Sequence, residues 1–166
     1  MLNNLITNYK LTQKYIKKDE EIMQIVNRKA RFNFEIEDEI EAGIMLVGSE
    51  VKSLRDAKAS ISEAYIAEIK GEMFLINANI NEYKGANKFN HEPKRNRQLL
   101  LHKKESDKLI GKMNAKGYSA TPLKIYFNKR NIAKVLIGVG KGKKLFDKRR
   151  SIKERDDARR NQRGED

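Results

Sequence analysis

The chain of 166 residues contains no cysteine, no tryptophan and only two prolines. Without cysteine, disulfides, thiolate-bound zinc and thiol nucleophiles are excluded. The same absence fits a reducing compartment, so a cytoplasmic protein is expected. Long apolar runs are missing too. Stretches such as Ile44 to Val47 and Val135 to Ile137 fall far short of the roughly 20 residues that cross a bilayer. No membrane partner is expected, and the first residues lack a signal peptide's apolar core and small-residue cleavage site. Histidine is scarce: His91 and His102 are the only two. Neither a Ser-His-Asp arrangement nor a metal cluster can be assembled from them. The expectation is a protein that is not an enzyme, with no metal and no cofactor.

Positive charge is what the chain has in excess. Lys and Arg number 36 against 23 Asp and Glu, a net charge of +13. Such an imbalance attracts polyanions and opposes self-association, so the free chain is expected to be a monomer. Nucleic acid is the leading partner class.

Residues 1–26 read as an extension, loosely helical at Leu2, Ile6 and Tyr9 and then strongly charged. It is expected to be disordered, with Met23 as an alternative start. From Asn27 onward the pattern sharpens. Phe32, Phe34 and Ile36 alternate with polar residues, which predicts a half-buried strand. A second alternation runs from Ile40 to Leu46, with Gly43 as a bulge or bend. Glu50–Lys58 carries apolar residues at helical spacing. Ile61–Ile69 and Met73–Ile80 predict two strands joined by the turn Lys70-Gly71-Glu72. Residues 81–98 predict a long basic loop. Residues 103–116 predict an amphipathic helix closed by Gly117. Leu123–Phe127 and Ile132–Val139 predict a second hairpin. The sum is mainly β: about six strands with two or three flanking helices, as in a small barrel or sandwich.

Beyond Gly140 the apolar content collapses. Residues 141–166 hold 11 Lys and Arg against 6 Asp and Glu, a net of +5. This basic tail cannot bury enough surface to offset its ordering entropy, so it is expected to be disordered alone. The Ser151/Glu154 capping-box spacing and the Asp156/Arg160 pair would favour a helix once a partner is bound. The expected domains are therefore an extension at 1–26, an RNA-binding body at 27–140 and the tail at 141–166.

Basic residues cluster four times. Arg28, Lys29 and Arg31 precede the first strand. Lys52, Arg55 and Lys58 line the first helix. Lys94, Arg95 and Arg97 sit in the long loop. The tail adds Lys141, Lys143, Lys144, Lys148, Arg149 and Arg150. Any one cluster reads as a solvated face, but four on a short chain point to phosphate binding. Phe89 and Phe146 lie within basic segments, where exposed aromatics can stack on bases. Two other patterns are weaker. The glycines of GVGKGKK (138–144) lack the Walker spacing, so a strand end opening into a hinge is favoured over a phosphate loop. The acidic run Glu35, Glu37, Asp38, Glu39, Glu41 is read as a solvated face rather than a magnesium site.

Three segments carry a family resemblance: NRKARFNFEIEDEIEAGIMLVGSEVKSLRDAKASISEAY (27–65), KRNRQLLLHKKE (94–105) and KIYFNKRNIAKVLIGVGKGKKLFDKRRSIKERD (124–156). They resemble small protein B, the SsrA-binding protein family. The resemblance implies an oligonucleotide-binding-type β-barrel that binds the tRNA-like domain of transfer-messenger RNA (tmRNA). It also implies an adaptor for trans-translation on stalled ribosomes, with the tail engaging the decoding centre of small-subunit rRNA and the empty mRNA channel. Asn27 and Glu41 then match polar residues used against the elbow of the tRNA-like domain. Lys52 and Arg55 fall in the matched helix block, and Arg95 and Arg97 in the matched loop. Lys141, Gly142, Lys143, Lys144, Asp147, Lys148 and Arg149 match the tail motif. Phe146 stands where relatives commonly carry His or another aromatic, which keeps stacking but loses any ring hydrogen bond. Two rivals are set beside this reading: a ribosomal or general RNA-chaperone protein of barrel type, and a magnesium-dependent nuclease.

Overall fold

The computed structural model describes residues 24–86 and 89–163. In chain order the elements are β1 (Gln24–Val26), α1 (Ala30–Asn33), β2 (Phe34–Ile44), α2 (Gly48–Arg55), β3 (Ala59–Ser60), β4 (Tyr65–Ile69), β5 (Glu72–Ile76), β6 (Asn79–Ile80), β7 (Arg97–Leu100), α3 (Lys103–Met113), β8 (Tyr118–Phe127), β9 (Ala133–Gly142) and α4 (Leu145–Arg163). The fold is mainly β. Seven strands form one antiparallel sheet in the order β1-β8-β9-β2-β7-β5-β4, and β3 pairs with β6. No hydrogen-bonded pair joins the two edge strands among the described residues.

The described residues hold nine strands where the sequence predicts about six, and the reasons are local. The two alternations before and after Glu37 are one strand, β2, whose register against β9 shifts between Ile36 and Asp38. A bulge there inserts one residue and preserves both halves of the pattern. Gly43, expected to bend the chain, instead pairs regularly with Leu100. Phe32 falls in the one-turn helix α1 rather than in a strand. Asn77, at φ +57°, breaks the predicted Met73–Ile80 strand into β5 and β6. The four-residue strand β7 starts in the last two residues of the predicted loop, Arg97 and Gln98, and is too short to show a period. β1 falls in the predicted extension and pairs with β8, from Gln24 opposite Tyr126 to Val26 opposite Lys124. The helical spacing at Leu2, Ile6 and Tyr9 lies outside the described residues.

Turn chemistry agrees with the sequence. Lys70 and Gly71, at φ +54° and +83°, form the two-residue connection of the β4–β5 hairpin. Positive φ at both positions gives the mirror-image turn whose twist matches the flanking strands. The core is built from alternate residues: Val135, Ile137 and Val139 of β9, Ile125 of β8, Leu75 of β5 and Leu99 of β7. Leu54 of α2 and Leu109 of α3 complete it.

Gly138, Gly140 and Gly142 are strand residues of β9. Gly140 faces the β2 bulge, and a Cβ there would overlap the Glu35 carbonyl oxygen and sit 2.9 Å from Ile36 Cα. Backbone cannot yield as a flexible side chain can. Gly140→Ala is expected to cost about 3 kcal/mol, read as a lower urea midpoint. Gly142→Ala, with nothing within 4 Å of its added Cβ, is the neutral control.

Candidate nucleic-acid interface

The structure sorts the expected contact residues by burial. Asn27 is 4% exposed, and both ends of its amide are used internally. Its Nδ2 donates to the carbonyls of Ile61 and Pro122, at 3.0 and 3.1 Å. Its Oδ1 accepts from the N–H groups of Lys29 and Ala30, both at 3.1 Å. Asn27 thus fastens the start of α1 to β8 and to the segment before β4.

Arg97 is fully buried rather than displayed on a loop. Its Nε donates to Glu50 Oε1 at 2.8 Å, Nη1 to the Ala78 carbonyl at 2.7 Å and Nη2 to the Pro93 carbonyl at 2.9 Å. Arg95 grips the same carboxylate through two bonds, Nε to Oε1 at 2.8 Å and Nη2 to Oε2 at 2.6 Å. Glu50 itself is completely buried and also accepts from the Val47 N–H at 2.9 Å, which caps α2. Burial would raise the Glu50 carboxyl. The hydrogen bonds from Arg95 and Val47 and the charge of Arg97 outweigh it, so the group stays ionised below the ordinary carboxylate range. Two of the expected RNA contacts therefore form a buried charge node, of which Arg95 retains partial exposure.

Glu41, Lys52, Arg55, Arg28 and Arg31 are all exposed. Glu41 accepts a hydrogen bond from the Tyr126 hydroxyl and lies 3.5 Å from Lys134 Nζ. The Tyr126 bond, then Lys134 and Lys124, hold its carboxyl below the ordinary value. Burial and the facing carboxylate push the Tyr126 phenol up to about 12, so it remains a donor at neutral pH. Glu41 borders a groove of about 1100 Å3 between β2, β7 and the start of α3. Leu100 and Ile132 line it while 53% and 51% exposed. The sequence reading missed both. Leu100 was legible in principle, because a strand cannot turn all three residues of Leu99–Leu101 to one face.

Glu37, Asp38, Glu39 and Glu41 of the acidic run each meet a side-chain partner. Glu39 accepts from Arg31 at 2.6 Å, Glu37 from the Tyr118 hydroxyl at 2.7 Å, and Asp38 pairs with Lys112 of α3. No group of three or more potential metal ligands occurs among the described residues. The two histidines likewise serve structure. His91 is buried between the Ser49 hydroxyl and the Ile80 carbonyl, and the His102 N–H donates to Glu105 at 3.1 Å, capping α3.

The tail motif straddles two elements. Lys141 and Gly142 end β9. Lys141 lies 4.8 Å from the Tyr118 ring, and its ammonium is raised by Tyr118 and then Glu37. Lys143 is anchored to α1, its N–H on the Asn33 carbonyl at 2.8 Å and its Nζ on the Arg31 carbonyl at 3.0 Å. Lys144 leads into α4, which carries Phe146 (75% exposed), Asp147, Lys148 and Arg149. Ser151 falls inside α4 rather than at its start. Arg155 reaches back to α1, 5.0 Å from the Phe32 ring. The tail thereby meets Arg28 and Arg31, while Lys52 and Arg95 share a separate cleft and Arg55 stands over Phe127.

A family model described as SmpB protein matches residues 24–165. This chain belongs to the SmpB family. Curated relatives agree. An SsrA-binding protein of Nitrobacter hamburgensis is 57% identical over 141 residues, covering 84% of this chain and 90% of the relative. One from a Bradyrhizobium species is 60% identical over 130 residues, covering 78% and 83%. One from Wolbachia pipientis is 58% identical, covering 78% and 87%. Among solved structures, a chain from "tmRNA-SmpB: a journey to the center of the bacterial ribosome" is 46% identical, with a TM-score of 0.64 over 74% of this chain and 86% of that one. The SmpB match begins at the first residue of β1, which agrees with β1 being part of the folded body.

Proposed function

We propose that this SmpB-family chain is a tmRNA-binding adaptor for trans-translation in the cytoplasm. The body, an oligonucleotide-binding-type barrel, docks on the tRNA-like domain and delivers tmRNA to stalled ribosomes. The tail engages the decoding centre and the empty mRNA channel. The observation that carries this reading is the 46% identity and shared fold with the SmpB chain of a tmRNA–ribosome structure. The division of charge supports it. Arg28, Arg31, Lys52 and Arg55 are displayed on the body, while α4 carries a separate set of exposed basic residues. No helix among the described residues is long and apolar enough to cross a membrane.

In this reading Glu41 is the polar anchor of the body, held ionised by Tyr126 and Lys134 to accept hydrogen bonds from base edges or ribose hydroxyls. Glu41→Ala is expected to weaken binding of a tRNA-like-domain transcript about tenfold, the scale of a lost charged hydrogen bond. Its thermal midpoint should hold, because the side chain is exposed. Filter retention and a melting curve measure the two effects, and unchanged affinity would remove Glu41 from the interface. Binding should also survive excess transfer RNA at moderate salt, whereas a general RNA chaperone would lose its RNA steeply.

A further inference from the structure

Phe89 is 92% exposed, the highest value among the described large apolar side chains. It projects from a pinned backbone. Asn90, beside it, donates from Nδ2 to the Tyr83 carbonyl at 2.9 Å and accepts the Tyr83 N–H at 3.1 Å. His91 follows, buried against Ile80 and Ser49. The ring is therefore held out in water by a loop whose ends are fixed, which is how a surface prepared for a partner differs from a frayed one.

Tyr83 and Phe89 line one cleft of about 560 Å3 together with Val47, Ser49, Lys52 and Arg95. Lys52 Nζ lies 5.3 Å from the Tyr83 ring centroid, and Val47 is 46% exposed. No carboxylate lines this cleft among the described residues, unlike the groove that holds Glu41, with which it shares no lining residue. Two aromatic faces, an apolar wall and the exposed Lys52 ammonium suit a flat apolar ring bearing a nearby negative charge. A paired base cannot present its face, but an unpaired nucleotide can.

We propose that this cleft is a stacking subsite for one unpaired RNA nucleotide, with Phe89 against the base and Lys52 meeting a flanking phosphate. It rests on the RNA-binding reading above and adds a second contact surface to the body. The chain has no tryptophan, so Phe89→Trp places a single indole at the subsite. The indole fluorescence of this variant should be quenched by single-stranded hexauridylate and not by an RNA duplex of equal phosphate content. Phe89→Ala should weaken hexauridylate binding about tenfold, within the range for one lost base–aromatic stack, and leave the melting curve unchanged. Quenching by the tRNA-like-domain transcript or by small ribosomal subunits identifies which RNA supplies the nucleotide. Silence with all three probes overturns the subsite, as does equal quenching by duplex. Filter retention of the transcript by the unaltered chain reports separately whether the RNA-binding reading stands.

Discussion

Replacing Glu50 with alanine is expected to destabilise the body by about 3–5 kcal/mol, the cost of stranding buried charge. That is a large share of the roughly 5–15 kcal/mol that holds a domain together. Two guanidiniums converge on this carboxylate, and Arg97 is wholly buried, so it cannot turn to water. Glu50→Ala also uncaps α2, since the Val47 N–H loses its acceptor. The check is a urea titration. The midpoint should fall sharply and stay low in 1 M KCl, because a buried pair is poorly screened. Arg97→Lys should be nearly as damaging, as one ammonium cannot replace a fork that serves Glu50 and the Ala78 and Pro93 carbonyls. If Arg97 instead served RNA alone, Arg97→Lys would leave stability intact and change only affinity.

The same node sets an acid limit. The folded-state carboxyl of Glu50 is depressed below its ordinary value of 4.5. Its contribution is therefore complete above that value and is lost as pH falls through the lower, folded-state one. Stability should decline below about pH 4.5 in the wild type, and Glu50→Gln should flatten that decline while lowering the plateau. Glu41, also depressed, is exposed and adds little.

Deleting residues 145–166 is the second expected large effect. Binding to the tRNA-like domain should stay within about threefold, while tagging on stalled ribosomes should fall by at least about a hundredfold. The cut belongs after Lys144, because β9 runs to Gly142, paired with Phe34, and Lys143 is bound to α1. A cut at Gly140 would remove strand and anchor as well, confusing folding with function. The tail itself asks little of the body. Its attachments include Arg155 over Phe32 and the Lys143 anchor, and its own support includes Arg150–Glu154 at 2.9 Å. A helix so weakly packed is marginal alone, which suits the proposed role in an RNA-lined channel. We expect circular dichroism of a 141–166 peptide to show mostly coil, with helix growing on added polyanion. Normal tagging by the truncated chain would remove the tail from the mechanism.

Sequence alone settled those features whose cause is local. Period-2 alternation marked β2 and β8, because side chains of a strand take opposite faces wherever it lies, and turn signals marked β4, β5 and β9 beside them. Lys70-Gly71 marked its hairpin because turn geometry needs only two residues. The family resemblance rested on blocks of contiguous residues, so the family was readable without coordinates. Other features depended on residues far apart in the chain. Nothing near Arg97 announces that Glu50, 47 positions earlier, will take its charge. Arg97 therefore reads like Arg95 or Lys94 until the fold buries it. Asn27 reads as a displayed polar group until Ile61 and Pro122 close over it. β7 is too short for a period and exists because β2 and β5 pair with it on either side. Composition could count the cations, but only tertiary structure could decide which are free to meet RNA, since burial and pairing are made by distant partners.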